Sequence, residues 1–186
     1  MDDLGPELER WAAEARVDDA ARQRTHERWL RQQAEEEATL VGVLCDLAER
    51  GTPVAVRTRV GRQHRGTVAA VGEDFVAVAA TASGSGPGPF AYVALAAVAS
   101  VRTSPGRVPP PTGDRVVRSR GRLADVLAGL AAERERILVV TAGAGDAVAG
   151  SLRAVGRDVA VVRLDGAEAG TAYVPLEAVA EVVVGG

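Results

Sequence analysis

The chain contains no lysine: all 22 of its basic residues are arginine, a usage that a GC-rich bacterial genome produces. A single cysteine, Cys45, excludes an internal disulfide framework. Together with only two histidines, His26 and His64, it makes no ligand set of the kind that holds zinc, so neither a metal nor a cofactor is expected. Aromatic residues make up 3% of the chain, so the core must be built from Val, Ala and Leu. The same scarcity leaves few rings on which single-stranded bases could stack. No apolar run approaches the length of a membrane-spanning helix. The first residues, Met1-Asp2-Asp3, are acidic where a secretory signal would be basic and then apolar. A cytoplasmic location is the resulting expectation.

What the chain does have is repetition. Shifted by 84 positions, Val56, Gly61, Gly66, Ala70, Val71, Gly72 and Asp74 fall on Val140, Gly145, Gly150, Ala154, Val155, Gly156 and Asp158. With three residues dropped from an intervening loop, Ala91, Tyr92, Val93, Leu95, Ala97, Val98 and Ala99 fall on Ala172, Tyr173, Val174, Leu176, Ala178, Val179 and Ala180. Each copy is small enough that an isolated core would be marginal, so the copies are expected to pack on each other or on another chain.

Charge is sorted along the chain. Residues 1–56 carry seven Arg against thirteen acids, a balance of −6; residues 57–122 carry ten against three, +7; residues 123–186 carry five against nine, −4. A basic centre between acidic ends suits either a polyanion site or self-complementary assembly.

Pro6, Leu8, Trp11, Ala12 and Ala15 open a helical region that continues, mostly charged, to about residue 38. Leu40, Val43, Leu44 and Leu47 then mark an apolar helical stripe that Gly51 ends, and Leu123, Val126, Leu127 and Leu130 repeat it. On this reading Glu133-Arg134 matches Glu49-Arg50. Alternation at Val54, Val56, Thr58 and Val60 predicts a strand, and turn residues divide the chain from there to Arg102 into four more. The second copy predicts strands over 137–141, 150–155, 159–164, 171–176 and 179–184. Residues 104–118, with four prolines, read as a stiff linker.

One helix followed by five short strands resembles the Sm-like fold of RNA-binding ring proteins, and other SH3-like barrels share the pattern. Residues 56–78, with Gly61 and Gly66, carry the closest match, followed by Tyr92-Val93-Ala94-Leu95 and the strand at 98–101. The resemblance covers residues 39–103 and again 119–184. It implies an α+β chain: a helical extension (1–38), a first helix-plus-barrel (39–103), the linker (104–118) and a second helix-plus-barrel (119–186). It does not extend to the family's base-holding Asp–Asn pair, since Asp74 and Asp158 come two residues late and lead into Phe75 and Val159. Pro175 removes a hydrogen-bond donor from the strand that such rings use for assembly.

Two groups of residues are candidate sites. Arg57, Arg59, Arg62, His64 and Arg65 crowd the first turn of the first copy, where arginine forks on one face would bind phosphates in a salt-dependent way. Arg115, Arg118, Arg120 and Arg122 could add to them. The bland alternative is a solvated face balanced by the acidic N-terminal helix. Trp11 and Trp29 could form a sticky face for a partner, although packing onto the barrels is the simpler expectation. A strand leading into Thr141-Ala142-Gly143-Ala144-Gly145 imitates a dinucleotide site, but the third glycine position is Val148. Cys45 with His64 could formally make a nucleophilic pair, yet Cys45 lies in an apolar helix stripe. The expectation is therefore a non-catalytic module for protein interaction or assembly, with RNA or polyanion binding as the alternative.

Overall fold

The computed structural model describes residues 11, 19, 22–30, 32–80, 88–103, 113, 121–143, 146–166 and 170–185. Residues 1–10, most of the linker, and Arg115, Arg118 and Arg120 lie outside the described residues. Residues 22–30 and 32–36 are helical and almost wholly exposed, as a segment this rich in charge must be.

Helix α1 (Leu40–Glu49) starts at Thr39, whose hydroxyl accepts a 3.0 Å bond from the Gly42 amide. Gly51, at φ +58°, ends it. Five strands come next: β1 (Pro53–Thr58), β2 (Gln63–Val71), β3 (Phe75–Ala80), β4 (Phe90–Ala94) and, after a 3-10 turn at Leu95–Ala97, β5 (Val98–Thr103). The second unit runs α2 (Leu123–Ala132), β6 (Arg136–Thr141), β7 (Ala147–Val155), β8 (Val159–Leu164), β9 (Thr171–Pro175), a 3-10 turn at Leu176–Ala178 and β10 (Val179–Val184).

These strands do not close into two five-stranded barrels. They form one open antiparallel sheet in the order β5-β1-β2-β3-β4-β10-β6-β7-β8-β9. The reason lies in the pairing of β4. Within the first unit β4 bonds β3 on one side, but on its other side it bonds β10 of the second unit instead of β5 of its own. The expected pair of Sm-like or SH3-like barrels is thereby replaced by a single sheet with β5 and β9 as its two edges. Every strand pair among the described residues is antiparallel, so β6 leads by way of Gly143 into a hairpin with β7 and not into a nucleotide-binding crossover.

The structure also corrects the repeat register. In β1 and β6 the offset is 83, because Val56 opposes His64 while Val139, not Val140, opposes Val148. The extra residue sits in the next turn, where Thr58 N–H reaches Arg62 O but Thr141 N–H reaches Asp146 O, both at 2.9 Å. The offset is 84 across β2–β3 and 81 across β4–β5. Both β2 and β7 bulge at matched places, between Val68 and Ala70 and between Leu152 and Ala154.

The cores overlap at the β4–β10 seam. The first is built on Leu44, Leu47, Val56, Val76, Val78 and Val93, with Val183 of β10 packed against it. The second, around Leu127, Val139, Leu152, Val162 and Val182, takes in Phe75, Ala77 and Tyr92 from the first unit. β3 and β10 are consequently buried on both faces over four successive residues, while their counterparts β8 and β5 are not. Similar sequences thus have different burial, and the seam is the cause.

Candidate interaction edges

The backbone of β4 shows how a strand joins this sheet. Asp74 O accepts from Leu95 N–H at 2.8 Å and Pro89 O from Ala80 N–H at 3.0 Å, so alternate residues of β4 bond β3. Antiparallel alternation turns the remaining ones, Phe90 and Tyr92, toward β10, in register with Val184 and Val182. In β9 the matching bonds, Leu176 N–H to Asp158 O at 2.8 Å and Leu164 N–H to Gly170 O at 3.0 Å, give the same phase. Thr171 and Tyr173 therefore point their peptide groups off the edge of the sheet. Pro175, the counterpart of Ala94, points the same way without a donor, but Ala94 itself lies beyond the registered β4–β10 ladder. The opposite edge, β5, is the counterpart of β10, and there Val101 and Thr103 match Val182 and Val184.

Side chains repeat the asymmetry. Tyr92 packs into the seam, whereas Tyr173 is 70% exposed. Leu123 is 7% exposed at the start of α2, and its counterpart Leu40 is 43% exposed. Asp74 reaches across the seam to accept the Leu123 amide at 2.7 Å and caps α2, with Arg122 Nε at 3.4 Å, while its counterpart Asp158 is solvent-exposed. Burial pushes the Tyr92 phenol above its ordinary value of 10.0.

The seam is closed by a buried acid that sequence reasoning missed. Glu181 of β10 is fully buried and accepts a 2.8 Å bond from His64 Nε2. Its other oxygen lies 2.5 Å from Arg62 Nε, an ion pair without hydrogen-bond alignment. Both bases come from the first unit, on β2 and the turn before it. No local pattern in the sequence could link residues 117 positions apart.

The predicted anion site is therefore divided. Arg62 and His64 turn to Glu181, while Arg57, Arg59 and Arg65 remain exposed on β1, the following turn and β2. Arg122 stands at the seam beside Asp74. Trp11 and Trp29 are 74% and 58% exposed, so the expected packing onto the strands does not occur. Trp29 stacks on His26, with ring centroids 6.2 Å apart. Cys45 sits half-buried against the first core, where burial, and next the Glu49 carboxylate, raise its thiol above the ordinary 9.0. That shift is the reverse of what a nucleophile needs. Among the described residues no three His, Cys, Asp or Glu side chains gather as a metal site, and no helix is long and apolar enough to cross a membrane.

Compared with family models, curated proteins and solved structures, the chain finds no match in any of the three.

Proposed function

We propose that the protein is a non-catalytic assembly module whose sheet edges take up a second copy of the chain by strand addition. One observation carries this reading: the β4–β10 seam is an interface between unlike edges of a repeated unit, and the same two edges recur as β9 and β5, where no strand among the described residues pairs with them. Laying β5 of one copy along β9 of another would reproduce the seam, with Tyr173 opposite Val101 and Thr171 opposite Thr103. Exposed edges with free peptide groups are sticky unless protected, and here the residues that would enter such a ladder include no proline and a single charge, Arg102. Tyr173 and Leu40, two of the large apolar side chains left in water, are the counterparts of residues the seam buries. Polyanion binding is the weaker reading, since two of its five residues are committed to Glu181.

The test is sedimentation velocity over a concentration series. The wild type should associate; Tyr173→Pro and Val101→Pro, which each place a ring where an edge N–H would bond, should stay monomeric with unchanged secondary structure. A wild type that remains monomeric throughout, or proline variants that associate as before, would overturn the proposal.

A further inference from the structure

We infer that charge at the seam makes each edge selective for the opposite unit, so that copies join only in alternation, second unit to first. This rests on the strand-edge reading above. The basis is a reversal of polarity at matched positions. In the internal seam the bases Arg62 and His64 belong to the first unit's turn and β2, and the acid Glu181 to the incoming strand. In the second unit Asp146 takes the place of Arg62, fixed there by the same backbone bond, and Val148 takes that of His64. On the strand that would face them, Ser100 replaces Glu181. Arg57, directly across from Ser100, replaces the buried Val140, and Arg102 replaces Val183.

The second unit's turn is thus acidic and the first unit's outer strand face is basic. Joining β9 to β5 of another copy brings Asp146 to the face that carries Arg57 and Arg102. The like pairings open to these two edges lack that match: β5 against β5 would bring the basic faces carrying Arg57 and Arg102 together, and β9 against β9 would leave both Asp146 carboxylates without a basic face. The broader charge segregation, +7 over residues 57–122 and −4 over 123–186, favours the same order.

A charge swap on the full chain tests this. Asp146 and Arg57 are both exposed, so substitutions there should leave the thermal midpoint unchanged. Asp146→Arg alone and Arg57→Glu alone should each weaken self-association by about tenfold or more, and the double variant should restore it to near the wild-type constant. Added salt should weaken the wild type and the double variant alike. If the wild type associates but the single variants do so equally well, or the double variant is no better than either, selectivity is overturned while strand-edge assembly stands. A wild type that never associates overturns both.

Discussion

Arg134 is the one described residue other than glycine with a positive φ, at 55°. It stands at the end of α2, where α1 has Gly51 at 58°, and the two helices stop by the same bonds. Gly51 N–H donates to Ala48 O and Thr52 N–H to Leu47 O; Arg134 N–H donates to Ala131 O and Glu135 N–H to Leu130 O. The left-handed conformation costs a residue with a Cβ about 1–2 kcal/mol, which glycine avoids. Part of that gain is offset by glycine's larger entropy when unfolded. Arg134→Gly should therefore stabilise the protein by about 1 kcal/mol, and Gly51→Arg should cost a similar amount, read from urea unfolding at constant slope. The sequence matched Glu133-Arg134 with Glu49-Arg50, one position out of true, and so hid this relation. The single extra residue in the turn after β6 causes the slip, since the offset of 84 that fits β2 and β3 falls to 83 before that turn.

At the scale of the element, what was legible was whatever depends on neighbours along the chain. The alternation of Val54, Val56 and Thr58 gave β1, and the apolar stripe of Leu44 and Leu47 gave α1 its buried face. Gly66 and Gly150 were legible as one matched position of the repeat, and the structure shows why both are glycine. A Cβ on either would fall 1.8 Å from Ala79 O or 2.0 Å from Arg163 O. What was not legible is how a strand's edge is used, because backbone pairing consumes no distinctive side chain: β4 and β9 read alike as Ala-Tyr-Val, yet one is interior and one is an edge. Tyr92 reports the difference. Its phenol is held neutral by burial, so the folded state keeps that proton more tightly than the unfolded state does. Stability is therefore complete below the ordinary value of 10.0 and falls as pH rises from there through the raised folded value. Tyr92→Phe should remove that alkaline loss, leaving a flatter curve of thermal midpoint against pH between about 9 and 11. A loss of the same size in the variant would show that other groups cause it.

At the scale of the molecule, the two units are bound by a shared core and by one acid. Glu181 has no exposure, and burying a carboxylate is tolerable only with its partners present. Neither partner is demanded by the fold, since the second unit does without them, carrying Asp146 and Val148 at the same positions. This makes the triad a separable part whose contribution can be read by removing its members in different orders. Replacing Arg62 by Ala and His64 by Val strands the charge and should cost about 3 kcal/mol, discounted from a fully buried pair because Arg62 is 43% exposed in its side chain. Adding Glu181→Ser, the residue that the other unit carries as Ser100, removes the stranded charge and should recover most of the loss. Glu181→Ser alone should cost less than the double variant that leaves the acid in place. Thermal and urea unfolding of the three variants against wild type measure this coupling directly. If all three lose the same stability, the units are held by the apolar seam of Phe75, Tyr92 and Val182 alone, and the acid is a passenger there.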